Sequence, residues 1–230
     1  MQFITLQGTY NSLELGLFAE QSVVDVVYYD ELRASSNLVP FLEAFLKKNK
    51  CSLGELSFIA VDKGPGAFTS LRATIASVNG IAYASKIRLI GINSLEALQV
   101  QAHDFSSAQE TRYIASLLNA YNNDVYFRIF DRNRNLLVKE SCQKIEEIID
   151  LLVDLKDSAL CVGNGLNLYR AELQAALDGA LRELPTNPAV PSVQAIAHIA
   201  WREWQHNKHV SSIYSIEPYY LKTQLFAVKR

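Results

Sequence analysis

Short apolar and β-branched runs over residues 3–6 and 23–28, and apolar residues at alternate positions over 13–17 of the run 13–18, predict three strands at the start of the chain. The period then lengthens. Leu38, Phe41, Leu42, Phe45 and Leu46 form an apolar stripe at helical spacing that predicts a helix over Leu38–Lys48. An apolar run over residues 58–62 predicts a fourth strand, and Leu71, Ile75, Val78 and Ala82 put one apolar face on a long helix over residues 69–85. A strand at 89–92 follows, then a helix opened by Asn93 with Glu96 in a capping-box arrangement. The order then repeats. Strands are predicted over Tyr113–Asn119, 125–130 and 136–140, an amphipathic helix on Ile145, Ile148, Ile149 and Leu152, a strand over Ala159–Val162, and a helix carrying Leu168, Leu173 and Leu177. A closing helix has Ala195, Ile196, Ile199, Ala200 and Trp204 on its apolar face.

Two successive βββαβα units read as a duplicated, two-lobed α/β fold, the element order of the actin, Hsp70 and sugar-kinase superfold. The polar and small residues of 103–110, Ser106 and Ser107 among them, mark a linker. The expected division is residues 1–104 and 105–230, with the closing helix free to pack back on the first lobe.

The long helix has an unusual second face. Ala73, Ser77, Gly80 and Ala84 lie opposite the apolar stripe, so that side is small and nearly uncharged, and another helix could approach it closely. The stripe on 38–48 is broad enough to leave surplus apolar surface. These two helices are the interface candidates, with a homodimer as one way to cover them.

A chain of 230 residues can bury one large core or two medium lobes. Its formal charge of −2 supplies no broad positive field for a phosphate backbone. Near the end, Lys222, Lys229 and Arg230 interleave with Tyr219, Tyr220 and Phe226, a pattern compatible with RNA contact, although a solvated tail on an apolar anchor is favoured. Cys51, Cys142 and Cys161 lack paired spacing, Met1 leads straight into a strand-like run, and no apolar run reaches membrane-spanning length. A cytoplasmic protein without membrane contact is expected.

The densest local signal is the turn Gly64-Pro65-Gly66, which joins a strand to the long helix. A glycine turn at a helix N-terminus is compatible with anion binding. Here the Walker lysine and the G-x-G-x-x-G spacing are absent, and Pro65 removes an N–H, so a structural turn is favoured. Other chemistry is sparse. His103, His198, His206 and His209 form no paired metal motif, no G-x-S-x-G elbow surrounds any serine, and Ser70 and Ser94 read as helix-start or turn residues. A superfold ATPase would need a carboxylate in the first strand–turn–strand, yet residues 6–12 hold none.

The run Gly64-Pro65-Gly66-Ala67-Phe68-Thr69-Ser70-Leu71-Arg72 resembles the fingerprint of the bacterial TsaB proteins, also called YeaZ. Further stretches are similar in family order: Gly91-Ile92-Asn93-Ser94-Leu95-Glu96-Ala97-Leu98, Asn119-Ala120-Tyr121-Asn122-Asn123-Asp124-Val125-Tyr126, Val162-Gly163-Asn164-Gly165 and Glu217-Pro218-Tyr219-Tyr220-Leu221-Lys222. Gln7, Ser70, Asn119 and Tyr121 depart from the family pattern, where aspartate, glycine, aspartate and arginine are usual. The resemblance implies a non-catalytic accessory subunit that binds and stabilises a TsaD-type catalytic subunit. With a TsaE-type ATPase, that complex transfers a threonylcarbamoyl group to adenosine beside the anticodon of tRNA. The implied partner surface is Leu38, Phe41, Leu42 and Phe45 on the first helix and Thr69, Arg72, Ala73, Ala76, Ser77, Gly80 and Ala84 on the second. No intrinsic cofactor is implied, and a nucleotide could lie at the subunit interface. The alternatives are an ATPase or small-molecule kinase of the same superfold and, less favoured, a peptidase, the older label attached to relatives.

Overall fold

A computed structural model describes residues 1–10, 12–30, 37–105, 111–206 and 214–222. Among these, β1 (Gln2–Gln7), β2 (Leu13–Ala19), β3 (Ser22–Tyr29), β4 (Leu56–Asp62) and β5 (Arg88–Ile92) form one sheet in the order β3-β2-β1-β4-β5. A second sheet, β10-β9-β6-β7-β8, contains β6 (Tyr113–Asn119), β7 (Asp124–Asp131), β8 (Leu136–Lys144), β9 (Ala159–Val162) and β10 (Leu181–Arg182). The duplication is topological. In each unit the first three strands make an antiparallel meander, and the fourth and fifth add in parallel beside the first.

The first sheet is covered on both faces, which is why its central strands are apolar at successive positions. Ile59 and Val61 of β4 face one core, shared with α1 (Leu38–Lys48) and α2 (Phe68–Ser85). Phe58 and Ala60, one position out of phase, face the other core, with α3 (Ser94–Phe105) and α7 (Val193–Gln205). There Phe3 stacks on Phe58 with ring centres 4.4 Å apart, and Trp204 of α7 stacks on Phe58 at 4.7 Å. The second sheet buries Leu117, Phe127 and Ile129 against α4 (Ile145–Asp154) and α6 (Arg170–Leu177). Its opposite face packs Ile114, Leu118, Leu160 and Val162 onto Leu95, Leu98 and Ala102 of α3.

Two sequence expectations are corrected. The single helix drawn through Leu168, Leu173 and Leu177 is two, α5 (Asn164–Leu168) and α6, because the chain breaks at Tyr169, whose ring is buried in the second lobe while Leu168 is left 53% exposed. The short β10 and a 3-10 turn at Leu53–Glu55 carry too few residues for any period to register. The expected linker falls partly in the last turn of α3, and its residues 106–110, with Ser106 and Ser107, lie outside the described residues.

Two glycines with opposite surroundings provide a test. Gly163 has φ +105°, and a Cβ there would stand 2.1 Å from the Leu117 carbonyl oxygen. Gly163→Ala is expected to cost about 3 kcal/mol or more. Gly80 lies on the exposed side of α2 with nothing within 4 Å of an added Cβ, so Gly80→Ala should raise stability by up to about 1 kcal/mol. Urea unfolding midpoints of the two variants check both signs.

Candidate functional site

The outer face of α2 is composed as its sequence implied. Leu71, Thr74, Ile75, Val78 and Ala82 are buried against the first sheet, while Thr69, Arg72, Ala76, Gly80 and Ala84 are exposed and Ala73 and Ser77 half-buried. Between Arg72 and the exposed Tyr83 that strip is made of small residues, so the backbone of α2 is open to close approach there. On α1 the interface expectation needs correction. Leu38, Leu42 and Phe45 are spent in the lobe's own core, and Phe41 stacks on Tyr29 at 4.0 Å, because the stripe is used to cover the first sheet. Among its exposed residues α1 presents Val39, Glu43 and Lys47 at the edge of an apolar groove of about 420 Å³ that Leu53 and Ile81 also line.

The Gly-Pro-Gly turn is held by a buried carboxylate that sequence reading passed over. Asp62 ends β4; its Oδ1 accepts from Gly64 N at 2.9 Å and from the Ser94 hydroxyl, and its Oδ2 accepts from Thr9 Oγ1 at 3.2 Å. Gln7 Nε2 donates to the same threonine oxygen at 2.9 Å. One acid thus joins the first β-turn, the glycine turn and the start of α3. The backbones are correspondingly close: Ala67 N donates to Thr9 O at 2.7 Å, Ser94 N donates to Gly64 O at 2.9 Å, and a Cβ on Gly66 would come within 2.7 Å of Thr9 Cβ. Gly64 takes φ +99°, and the Gly64-Pro65 peptide is cis. The available signal for Asp62 was its place as the last residue of a central strand immediately before the glycine turn.

This arrangement does not fit a magnesium-nucleotide complex of the kind the superfold carries. The residue at the end of β1 is an amide, Gln7, and both oxygens of Asp62 are engaged by protein donors. The N–H groups of Gly64 and Ala67, which a phosphate would need, already donate to Asp62 and Thr9.

The cleft between the sheets is bridged by the segment 214–222. Asn79 of α2 clasps its backbone in both directions, Nδ2 donating to Ile216 O and Oδ1 accepting from Ile216 N, each at 2.9 Å. Tyr219 N donates to Lys63 O at 2.7 Å, while Tyr219 Oη donates to Glu140 of the second sheet at 3.0 Å. Lys222 pairs with Asp124 and donates to Ala120 O at 3.1 Å. Tyr10 Oη crosses the same cleft to Asn119 O at 2.8 Å. Asn79 also escaped sequence reading, since a lone amide on a helix flank carries no periodic signal. Phe226, Lys229 and Arg230 lie outside the described residues.

The histidines converge nowhere in the described residues. His206 follows the last residue of α7 and its Nδ1 lies 2.8 Å from Arg202 O, His103 Nδ1 lies 3.1 Å from Arg134, and His198 is on the exposed side of α7; His209 lies outside the described residues. Among the described residues no group of three or more His, Cys, Asp or Glu is placed to hold a metal ion, and no helix is long and apolar enough to cross a membrane.

Two sheets of the same strand order with a central helix packed between them define the actin, Hsp70 and sugar-kinase class of fold. The model of the TsaD family, tRNA N6-adenosine threonylcarbamoyltransferase, matches residues 32–185, and the chain belongs to that family, within its TsaB (YeaZ) group. A tRNA threonylcarbamoyladenosine biosynthesis protein TsaB from Buchnera aphidicola subsp. Schizaphis graminum is 30% identical over 139 residues, 59% of this chain and 65% of that protein. The TsaB of Haemophilus influenzae is 24% identical over 98% of this chain and 96% of its own. The solved structure of YeaZ from Pseudomonas aeruginosa has the same fold, with a TM-score of 0.72 and 19% identity over 95% of this chain and 100% of that one.

Burial pushes the Asp62 carboxyl up to about 6, against the opposing pull of its three donors. Its folded pKa lies above the unfolded value, so its contribution to stability is complete below about pH 4 and is lost as the pH rises through about 6. Asp62→Asn keeps an acceptor for Gly64 and Ser94 and offers Thr9 a donor in place of an acceptor. It should remove roughly 2–3 kcal/mol of pH dependence between about pH 4 and pH 7. Urea titrations of both proteins across that range test this, and parallel curves would contradict it.

Proposed function

We propose that this chain is a non-catalytic accessory subunit that binds and stabilises a TsaD-type catalytic subunit in the complex that adds a threonylcarbamoyl group to adenosine of tRNA. The observation that carries the reading is the exposed strip Thr69, Ala76, Gly80 and Ala84 on α2, with Ala73 half-buried beside it, in a chain whose relatives bear the TsaB name. A long helix whose outward strip is small between Arg72 and the exposed Tyr83 is a surface that a second helix can approach closely, since close packing recovers dispersion contacts along the small residues. Arg72 at one end and the Val39, Glu43 and Lys47 edge of α1 complete the surface, replacing the buried Leu38, Leu42 and Phe45. The engaged donors around Asp62 support a role without nucleotide hydrolysis in the cleft. In this reading the lobes divide near residues 104 and 105, a TsaE-type ATPase and tRNA join through the complex, the setting is cytoplasmic, and a homodimer forms on the same strip when the partner is absent.

Gly80→Arg tests the surface, because the side chain has open space in the isolated fold. A guanidinium desolvated and unpaired in the interface costs several kcal/mol, so affinity for the TsaD-type subunit should fall by roughly a thousandfold. Light scattering on a sizing column is expected to show a heterodimer with the wild-type chain and separate components with the variant. A variant that still assembles at micromolar concentration places the interface elsewhere.

A further inference from the structure

The turn between β6 and β7 takes three consecutive non-glycine residues through the left-handed region: Tyr121 at φ 60°, Asn122 at 56° and Asn123 at 61°. Asparagine tolerates that region, but tyrosine occupies it only at a conformational cost. The surrounding structure holds the turn at every residue. Asn119 Oδ1 accepts from Tyr121 N at 2.8 Å, Lys144 Nζ donates to Asn122 O at 2.7 Å, Ile145 N donates to Asn123 O at 3.0 Å, and Lys222 Nζ donates to Ala120 O at 3.1 Å. What these clamps hold out to solvent is the side chain of Tyr121, 51% exposed. Strain maintained by so many contacts points to a use for the strained residue.

Tyr121 stands on a notch of about 210 Å³ at the mouth of the cleft. Phe68 and Tyr220 line the same notch, their ring centres 5.7 Å apart, and Tyr220 is 50% exposed. The guanidinium of Arg72 lies 4.8 Å from the centre of the Phe68 ring. Asp124 is matched by two lysines, Lys144 and Lys222, so the rim with Arg72 carries a surplus of positive charge. Planar, half-exposed rings around a slot with cations at its edge are the chemistry that takes a nucleobase by stacking and its phosphate by charge. The slot has room for one base and none for a duplex.

We propose that this notch holds one unpaired base of an RNA strand, stacked among Tyr121, Tyr220 and Phe68, with the adjoining phosphate facing Arg72. The choice of RNA over a free nucleotide rests on the function proposed above; the notch itself does not. The test uses the full chain and a fluorescein-labelled oligoadenylate of about ten nucleotides, followed by fluorescence anisotropy at low salt. Tyr121→Asn, which suits the left-handed backbone, and Tyr220→Ser should each weaken binding by about tenfold, whereas Leu168→Ser, at an exposed position elsewhere on the second lobe, should leave it unchanged. Three results overturn the proposal: no binding of the oligomer, equal binding by wild type and both tyrosine variants, or competition by AMP as effective as that by unlabelled oligomer, which would make this a free-nucleotide site. The same variants are then mixed with the TsaD-type subunit. Tyr121→Asn that loses RNA but still assembles supports the notch. A wild-type chain that binds RNA through these tyrosines yet never assembles overturns the accessory reading and leaves the notch standing.

Discussion

The burial of α3 between the two sheets is the constraint on which the rest of the structure depends. Ala97 and Val100 pack with α7 on the first sheet, while Leu95, Leu98 and Ala102 pack on the second, so the helix has no broad solvated face and both lobes must close on it. Its first residue is tied at the same time. The Ser94 hydroxyl donates to Asp62, and its N–H donates to the Gly64 carbonyl, which fixes the start of the helix against the end of β4. The relative position of the sheets therefore follows from one helix that cannot be exposed and one buried acid that cannot be left unpaired.

The same acid explains why the glycine turn looks like a phosphate loop and is built as a joint. Glycine lets Gly66 approach Thr9 more closely than any side chain would allow, and the amides that an anion would recruit are consumed in holding three segments together. The cleft between the sheets is also crossed by the 214–222 segment, pinned to α2 by Asn79 and to the second sheet by Tyr219 and Lys222. A cleft closed in this way suits a scaffold, and the chemistry left for solvent lies outside it, on the strip of α2 and at the tyrosine-lined mouth.

The strip and the mouth share a helix. Phe68 and Arg72 occupy the first turns of α2 at the notch, Asn79 holds the tail from its flank, and Ala76, Gly80 and Ala84 continue along the exposed side. One helix therefore carries the exposed strip, lines the notch and pins the tail that crosses the cleft.

The local pattern alone determined the duplicated element order, the bounds of α1, β6 and β9, and the inward stripe of α2, because strand and helix periods are written in consecutive side chains. The composition of the outer strip of α2 was legible for the same reason. The tertiary structure decided how each apolar stripe is used. Leu38, Leu42 and Phe45 looked like surplus surface until the first sheet was seen to need covering, and Leu168 looked like core until the chain broke at Tyr169. It also decided the long-range polar contacts: Asp62 with Thr9 and Ser94, Asn79 with Ile216, Tyr10 with Asn119. These join residues far apart in the chain through one or two hydrogen bonds each, and so few bonds between distant residues leave no period in the sequence to read.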